Sequence, residues 1–262
     1  MGQAAEAVIT TQQKLDAVQA FVMHHVVDSQ TWKLPFLPGI KLGGLLSLHS
    51  LMVIFAVALL VLVAVFGYRR KQVVPTGVSN LLEVFVVFIR DEIAVLFLGE
   101  KDGRMMTPVL CSFFFFILTM NLMGLFPAFA TATSNVSVTG ALALVTLGFM
   151  VIGGIVKNGP VGFLKAFVPA GVPWPILLLL VPIEFVSMFL KAFALMIRLF
   201  ANMLAGHMVI FFLVGMLIAF GLWGVPMLAM AIMIYLMEVG ICILQAYIFT
   251  LLSAMFIGQI WH

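Results

Sequence analysis

From Met105 to Val156 the chain contains no Asp, Glu, Lys or Arg, and from Leu199 to His262 it contains only one, Glu238. Stretches of that kind cannot cover a surface that faces water. A soluble domain carries about 25% charged residues, whereas this 262-residue chain carries 9% against 64% hydrophobic residues. Apolar runs long enough to cross a bilayer read as spanning helices, so the expected fold class is an all-α integral membrane protein.

Five membrane passes fit the pattern. Ser50 to Gly67 is one charge-free run, closed by Arg69, Arg70 and Lys71. The charge-free stretch from Met105 is too long for one pass, and Pro127 to Asn135 supplies the turn chemistry that splits it. A Gly/Pro-rich loop is expected over Lys157 to Pro175, followed by two very long apolar helices broken near Gly221 to Pro226. Leu81 to Leu98 is apolar but carries Glu83, Arg90, Asp91 and Glu92, so it reads as an amphipathic helix lying at the interface. The domain reading is an extracytoplasmic segment over 1–48 and a membrane domain over 49–262, with the interfacial helix at about 81–98 and a helical hairpin at about 175–261.

The basic residues act as topology signals; nucleic acid is not an expected partner. The connection after the first pass holds Arg69, Arg70, Lys71, Arg90, Lys101 and Arg104, the next holds none, the one after holds Lys157 and Lys165, and the last turn holds none. By the positive-inside rule the N-terminus is outside and the C-terminus cytoplasmic. Met1 to Ala20 lacks the apolar core of a signal peptide. Cys111 and Cys242 both sit in apolar runs, which suggests neither a disulfide framework nor a thiol metal site.

The final helix pair is longer than a bilayer requires. At 1.5 Å per residue, Pro175 to Phe220 would extend about 68 Å and Pro226 to Trp261 about 54 Å, against a hydrocarbon layer of about 30 Å. Helices of this length must tilt steeply, bend, or run partly along the membrane, and need something to lie against. On the first of them Glu184, Ser187, Lys191, Arg198 and Asn202 fall within a roughly 60° arc. His207 lies about 140° away from Glu184 on the same helix. On the second, Glu238 and Gln245 share a face, with Cys242 close by.

Charge at a bilayer centre costs roughly 2.5–3.5 kcal/mol on insertion scales, and a purely structural helix pair has no reason to accept it. Each residue nonetheless has a structural alternative. Lys191 can snorkel to the cytoplasmic surface, and Glu184 can sit at the helix entrance. Asn202 and Gln245 can serve as interhelical hydrogen-bond glue, and His207 as a packing histidine. Arg198, deep in its helix, fits a structural role least well.

The run Met196-Ile-Arg-Leu-Phe-Ala-Asn-Met-Leu-Ala-Gly-His207, followed by Leu244-Gln-Ala-Tyr-Ile-Phe249, resembles subunit a of the rotary (F-type) ATP synthases, the membrane stator beside a rotor ring. His24-His-Val-Val-Asp-Ser29 resembles the N-terminal segment of bacterial members, and Asn121-Leu-Met-Gly-Leu-Phe-Pro127 resembles the motif closing the family's second span. The chain departs from the family pattern at Ala192, where Pro is common, and at Ala201, where Gly is common. Both changes favour regular helix. In some members the His207 and Glu238 residue types are exchanged, which keeps one acid and one imidazole.

The resemblance implies an ion-translocating subunit of an ATP synthase that is not itself an enzyme and needs no cofactor or metal. Arg198 matches the stator arginine, past which the ring's small hairpin subunits each carry one carboxyl. A guanidinium stays charged and favours the ionised carboxylate, so it would drive proton release and block leakage between two access paths. His207, Glu238 and Asn121 match the outer half-channel, Gln245 and Asn202 accompany the arginine, and Glu184 with Ser187 match the cytoplasmic half-channel. Implied partners are the rotor ring, a peripheral stalk subunit, the other synthase subunits and membrane lipid; the implied location is the bacterial inner membrane. A His/Glu relay favours protons over sodium. Nucleotide chemistry belongs elsewhere, since the chain has no G-x-x-x-x-G-K-[ST] loop.

Two rival readings compete. A secondary transporter or lone channel also places charges in the membrane, but its repeated halves are not visible here. A haem or quinone subunit needs histidines well inside spans, and only His207 qualifies.

Overall fold

In a computed structural model, residues 31–32, 40–41, 48–67, 77–126, 129, 131–168, 173–220 and 225–261 are described. The N-terminal motif from His24, the Arg69–Lys71 cation cluster and the hairpin break at 221–224 lie outside them. A two-residue antiparallel pairing joins β1 (Thr31–Trp32) to β2 (Ile40–Lys41). Every longer element is helical, so the all-α class stands. The helices are α1 (Leu48–Gly67), α2 (Val78–Phe88), α3 (Leu96–Leu125), α4 (Val136–Lys165), α5 (Trp174–Phe220) and α6 (Val225–Trp261).

Among the described residues four helices are long and apolar enough to cross a membrane: α1, α4, α5 and α6. Their side chains confirm the solvent they need. Leu178 is 76% exposed, Val156 80%, Leu144 66% and Val65 66%, and apolar patches on that scale are not stable on a monomer in water. α3 differs in its first turns, which carry Glu100, Lys101, Asp102 and Arg104; it is charge-free only from Met105 onward.

α2 passes without interruption into a π-helical stretch, Ile89–Val95, and then into the start of α3. The expected helix over 81–98 is therefore present, beginning slightly earlier. Its outer face carries Arg90, whose Nε and Nη2 donate to the two oxygens of Asp91 at 2.7 and 2.9 Å. A sharp break follows at Gly99, with φ 78° and ψ 170°, a conformation glycine reaches at little cost.

The loop expected over Lys157 to Pro175 requires correction. Helix α4 continues to Lys165, interrupted by a kink at Gly159 (φ 70°, ψ 168°) rather than ended there. Pro160 restarts the helix after the kink, where its missing N–H is no loss. The expected boundaries of the last two helices agree with α5, of 47 residues, and α6, of 37.

The chain forms two compact units. One comprises residues 1–55, 120–135 and 200–244, the other 56–119, 136–199 and 245–262. The second unit holds the larger core, in which Ile93 and Leu98 meet Leu110, Phe114 and Ile117 of α3, Met150 of α4, Leu195 of α5, and Phe249 and Ile257 of α6. Phe113 and Phe249 pack edge to face at 5.8 Å. Two glycines allow backbones to touch within it. A Cβ on Gly103 would lie 2.6 Å from the Ala94 carbonyl oxygen, and one on Gly258 would run into the Phe97 carbonyl. Because these obstacles are backbone, Gly258→Val is expected to destabilise the folded chain by at least about 1–3 kcal/mol, the cost of overpacking. Thermal unfolding of the purified protein in detergent checks this; an unchanged midpoint would show that α6 can move away freely.

Candidate functional site

In the first unit, three helix segments are drawn together by a small apolar cluster of Leu125 on α3, Met203 on α5 and Cys242 on α6, with Leu122 and Val239 against it. That packing places His207 beside Glu238. Nδ1 of His207 is 3.1 Å from the Met203 carbonyl oxygen and Nε2 is 2.9 Å from the Gly124 carbonyl oxygen. Carbonyls only accept, and a neutral imidazole has a single N–H. A neutral ring can serve one of these partners; only the doubly protonated ring serves both.

Glu238 is 2% exposed, and its Oε1 stands 2.9 Å from His207 Nδ1. The contact is an ion pair only when the ring is protonated. Neither carboxyl oxygen has a hydrogen-bond partner among the described residues. The same holds for both amide atoms of the fully buried Asn121 and for the hydroxyl of Thr133 in the short 3₁₀ turn Ala132–Ser134. Buried polar atoms are nearly always satisfied, and these three residues, Glu238, Asn121 and Thr133, belong to the same unit.

Two neighbours were not singled out by sequence. Tyr235, one turn before Glu238 on α6, donates its hydroxyl to the Leu125 carbonyl at 3.2 Å. Gly206 lies directly under the acid: a Cβ there would meet Glu238 Oε1, with Cδ at 2.9 Å. A glycine next to a candidate relay histidine was the available signal for such a close approach. Gly206→Val is expected to push the carboxylate away from His207 and reduce turnover of the assembled complex at least about tenfold, the rate equivalent of roughly 1.4 kcal/mol. Proton pumping in vesicles measures this; full activity would mean the acid's position is not critical.

The second unit contains the other predicted residues. Glu184 and Lys191 on α5 form an ion pair at 3.4 Å, and both bond to Gln259 near the end of α6. Lys191 is thus not simply extended toward an aqueous surface. Ser187 instead opens onto a shallow groove along α5 with Pro182, Ile183 and Leu190. Gln245 is 5% exposed on α6.

Arg198 behaves differently from every other charge on these helices. It is exposed on α5, and among the described residues it makes no hydrogen bond or ion pair. Its same-face neighbour one turn earlier on α5 is the exposed Ala194, and the adjacent Ile197 is 38% exposed, so neither supplies a counter-charge. Asn202, assigned to the same polar stripe, is half-buried in the first unit. No group of three or more His, Cys, Asp or Glu suited to a metal occurs among the described residues.

Comparison with known proteins decides what these residues belong to. The sequence profile of the ATP synthase A chain family matches residues 50–258. The chain belongs to that family. Among its relatives, ATP synthase subunit a of Anaeromyxobacter dehalogenans strain 2CP-C is 41% identical over 93% of this chain and 70% of its own length. The subunit a of Chloroherpeton thalassium is 42% identical over 94% and 77%. That of Myxococcus xanthus is 39% identical over 90% and 85%. The matched region contains Arg198, His207, Glu238 and Gln245, so all four lie inside the family's domain.

Proposed function

We propose that the chain is the proton-conducting stator subunit of an ATP synthase, passing protons through two offset half-channels to and from carboxyl groups on a rotor ring. The observation that carries this reading is Arg198, an exposed cation on a long apolar helix with no hydrogen bond or ion pair among the described residues. An uncompensated guanidinium in lipid is costly. A carboxyl-bearing protein surface against that face would compensate it. Each arriving carboxyl gives up its proton to one half-channel and forms a carboxylate–guanidinium pair, and it leaves again when the ring turns and it takes a proton from the other half-channel.

The outer half-channel runs past Asn121, His207 and Glu238. Support comes from the buried donors and acceptors that have no hydrogen-bond partner among the described residues, which are the groups a hydrated path requires, and from an imidazole whose two nitrogens each face an acceptor. Glu184 and Ser187 serve the cytoplasmic half-channel, while Asn202 and Gln245 accompany Arg198. The apolar part of α3 from Met105 is the fifth pass, and α5 with α6 forms a tilted hairpin along the ring. The subunit is non-catalytic and sits in a bacterial inner membrane with its N-terminus outside and C-terminus cytoplasmic, beside a peripheral stalk subunit.

Affinity purification of a tagged chain from its own membranes tests the assignment. The expected result is co-purification of a ring of small, carboxyl-bearing hairpin subunits together with ATP-driven acidification of reconstituted vesicles. A chain that purifies alone and transports a solute alone would overturn it.

A further inference from the structure

We infer that Gln259, pinned at the end of α6, is a positioning residue for Glu184 that holds the Lys191 ammonium partly off the carboxylate. This rests on the assignment of Glu184 to the cytoplasmic half-channel. Lys191 Nζ donates to Gln259 Oε1 at 2.8 Å but to Glu184 Oε1 only at 3.4 Å, and Gln259 Nε2 donates to the same Glu184 oxygen at 3.4 Å. The ammonium therefore makes its better bond to a neutral amide. Glu184 Oε1 receives two long contacts, and no hydrogen bond to Oε2 occurs among the described residues. The carboxylate is thus held near the ammonium without a short bond to it.

The last turn of a helix ordinarily frays, because its final carbonyls lack partners. Here they are bound. Asn158 Nδ2 donates to the Ile260 and Trp261 carbonyls at 3.2 and 3.3 Å. The Trp261 indole N–H reaches the Phe149 carbonyl at 3.3 Å, and the ring lies so close to Gly153 that a Cβ there would be 2.6 Å from it. Lys157 covers the ring at 5.4 Å and is paired with Asp102. Gln259 stands immediately before this anchor, so its amide has a fixed origin from which to reach across to α5.

Lys191 is the only charged or titratable group within ion-pair distance of Glu184 among the described residues. From α6 the facing group is Gln259, which is neutral. On α4 the nearby charges are Lys157, already paired with Asp102 of α3, and Lys165 in the last turn. Without the Gln259 amide, Lys191 is left with Glu184 as its sole anionic or amide acceptor and closes on it. A closer cation favours the ionised acid, so proton uptake should fail at a lower pH.

The test measures ATP-driven pumping by the whole complex in vesicles across pH 6–9 for Gln259→Leu, Gln259→Glu and Glu184→Gln. Gln259→Leu should slow pumping about threefold at neutral pH and move its alkaline fall-off about 0.5 pH unit toward acid, the scale of a half-exposed ion pair. Gln259→Glu, which retains an acceptor for Lys191, should keep the parental profile or move it the other way. Should Gln259→Leu prevent assembly, Asn158→Ala, which releases the anchor, should give the same acid shift. An impaired Glu184→Gln with an unshifted Gln259→Leu or Asn158→Ala overturns the positioning role alone. A Glu184→Gln complex that pumps normally removes Glu184 from the path, and this inference with it.

Discussion

Replacing Arg198 with Ala should abolish ATP-driven proton pumping in inverted vesicles while leaving the complex assembled. Assembly should survive because Arg198 makes no hydrogen bond or ion pair among the described residues and lies on an exposed helix face. Its removal leaves no buried group unsatisfied, so the chain gives up little of its own stability. The loss falls instead on the meeting with a rotor carboxyl. At about 4 Å and an effective dielectric near 20, that attraction is roughly 4 kcal/mol before desolvation. Even half of it surviving desolvation gives a rate loss of about thirtyfold, and the whole of it about a thousandfold.

Arg198→Lys should rescue poorly, because an ammonium is a compact, strongly hydrated charge that lacks the planar fork. Vesicles should also leak protons faster in the Ala variant, since the fixed cation that blocks direct passage is gone. Co-purification of the ring and quenching of a pH-sensitive dye measure assembly and pumping separately. Assembled Arg198→Ala complex with normal pumping would sink the mechanism at its centre.

The second large effect concerns the buried pair in the first unit. His207→Glu places two acids side by side, and Glu238→His places two imidazoles there. Breaking a buried pair by removing one partner typically costs about 3–5 kcal/mol, so each single variant should lose at least tenfold in pumping or fail to assemble fully. The double exchange restores one acid and one imidazole and should recover much of the activity. Recovery should be incomplete, because residue 238 sits directly against Gly206 and an imidazole is wider there than a carboxylate. Adding the exchange variants to the same pumping assay provides the check. Equal impairment of the singles and the double would mean that orientation, not the acid–imidazole pairing, is what matters.

Some of this was legible along the chain because its cause is local. Runs without charge demand lipid, and the bounds of α1, α5 and α6 follow from where those runs stop. Arg198 was identifiable because a charge deep in an apolar helix is costly whatever surrounds it. The loop expected after Lys157 failed for a local reason too. Gly159 and Pro160 read as helix-ending punctuation, but a single positive-φ glycine followed by a proline suited to a helix start produces a kink instead.

Other features depend on residues far apart in sequence. Helical periodicity places His207 on a face of α5 but says nothing about the Gly124 carbonyl it reaches on α3 or the acid it meets on α6. Lys191 looked like a side chain stretching to water, because the amide that holds it is 68 residues away at Gln259. Asn158 capping the end of α6 is equally invisible along the chain, because the two lie about a hundred residues apart. The sequence by itself determined the solvent, the helices and the charges that lipid makes expensive, since each follows from the free energy of individual side chains and near neighbours. Only the tertiary structure decided which charges meet a partner among the described residues and which, like Arg198, do not, because that depends on how helices distant in sequence pack together.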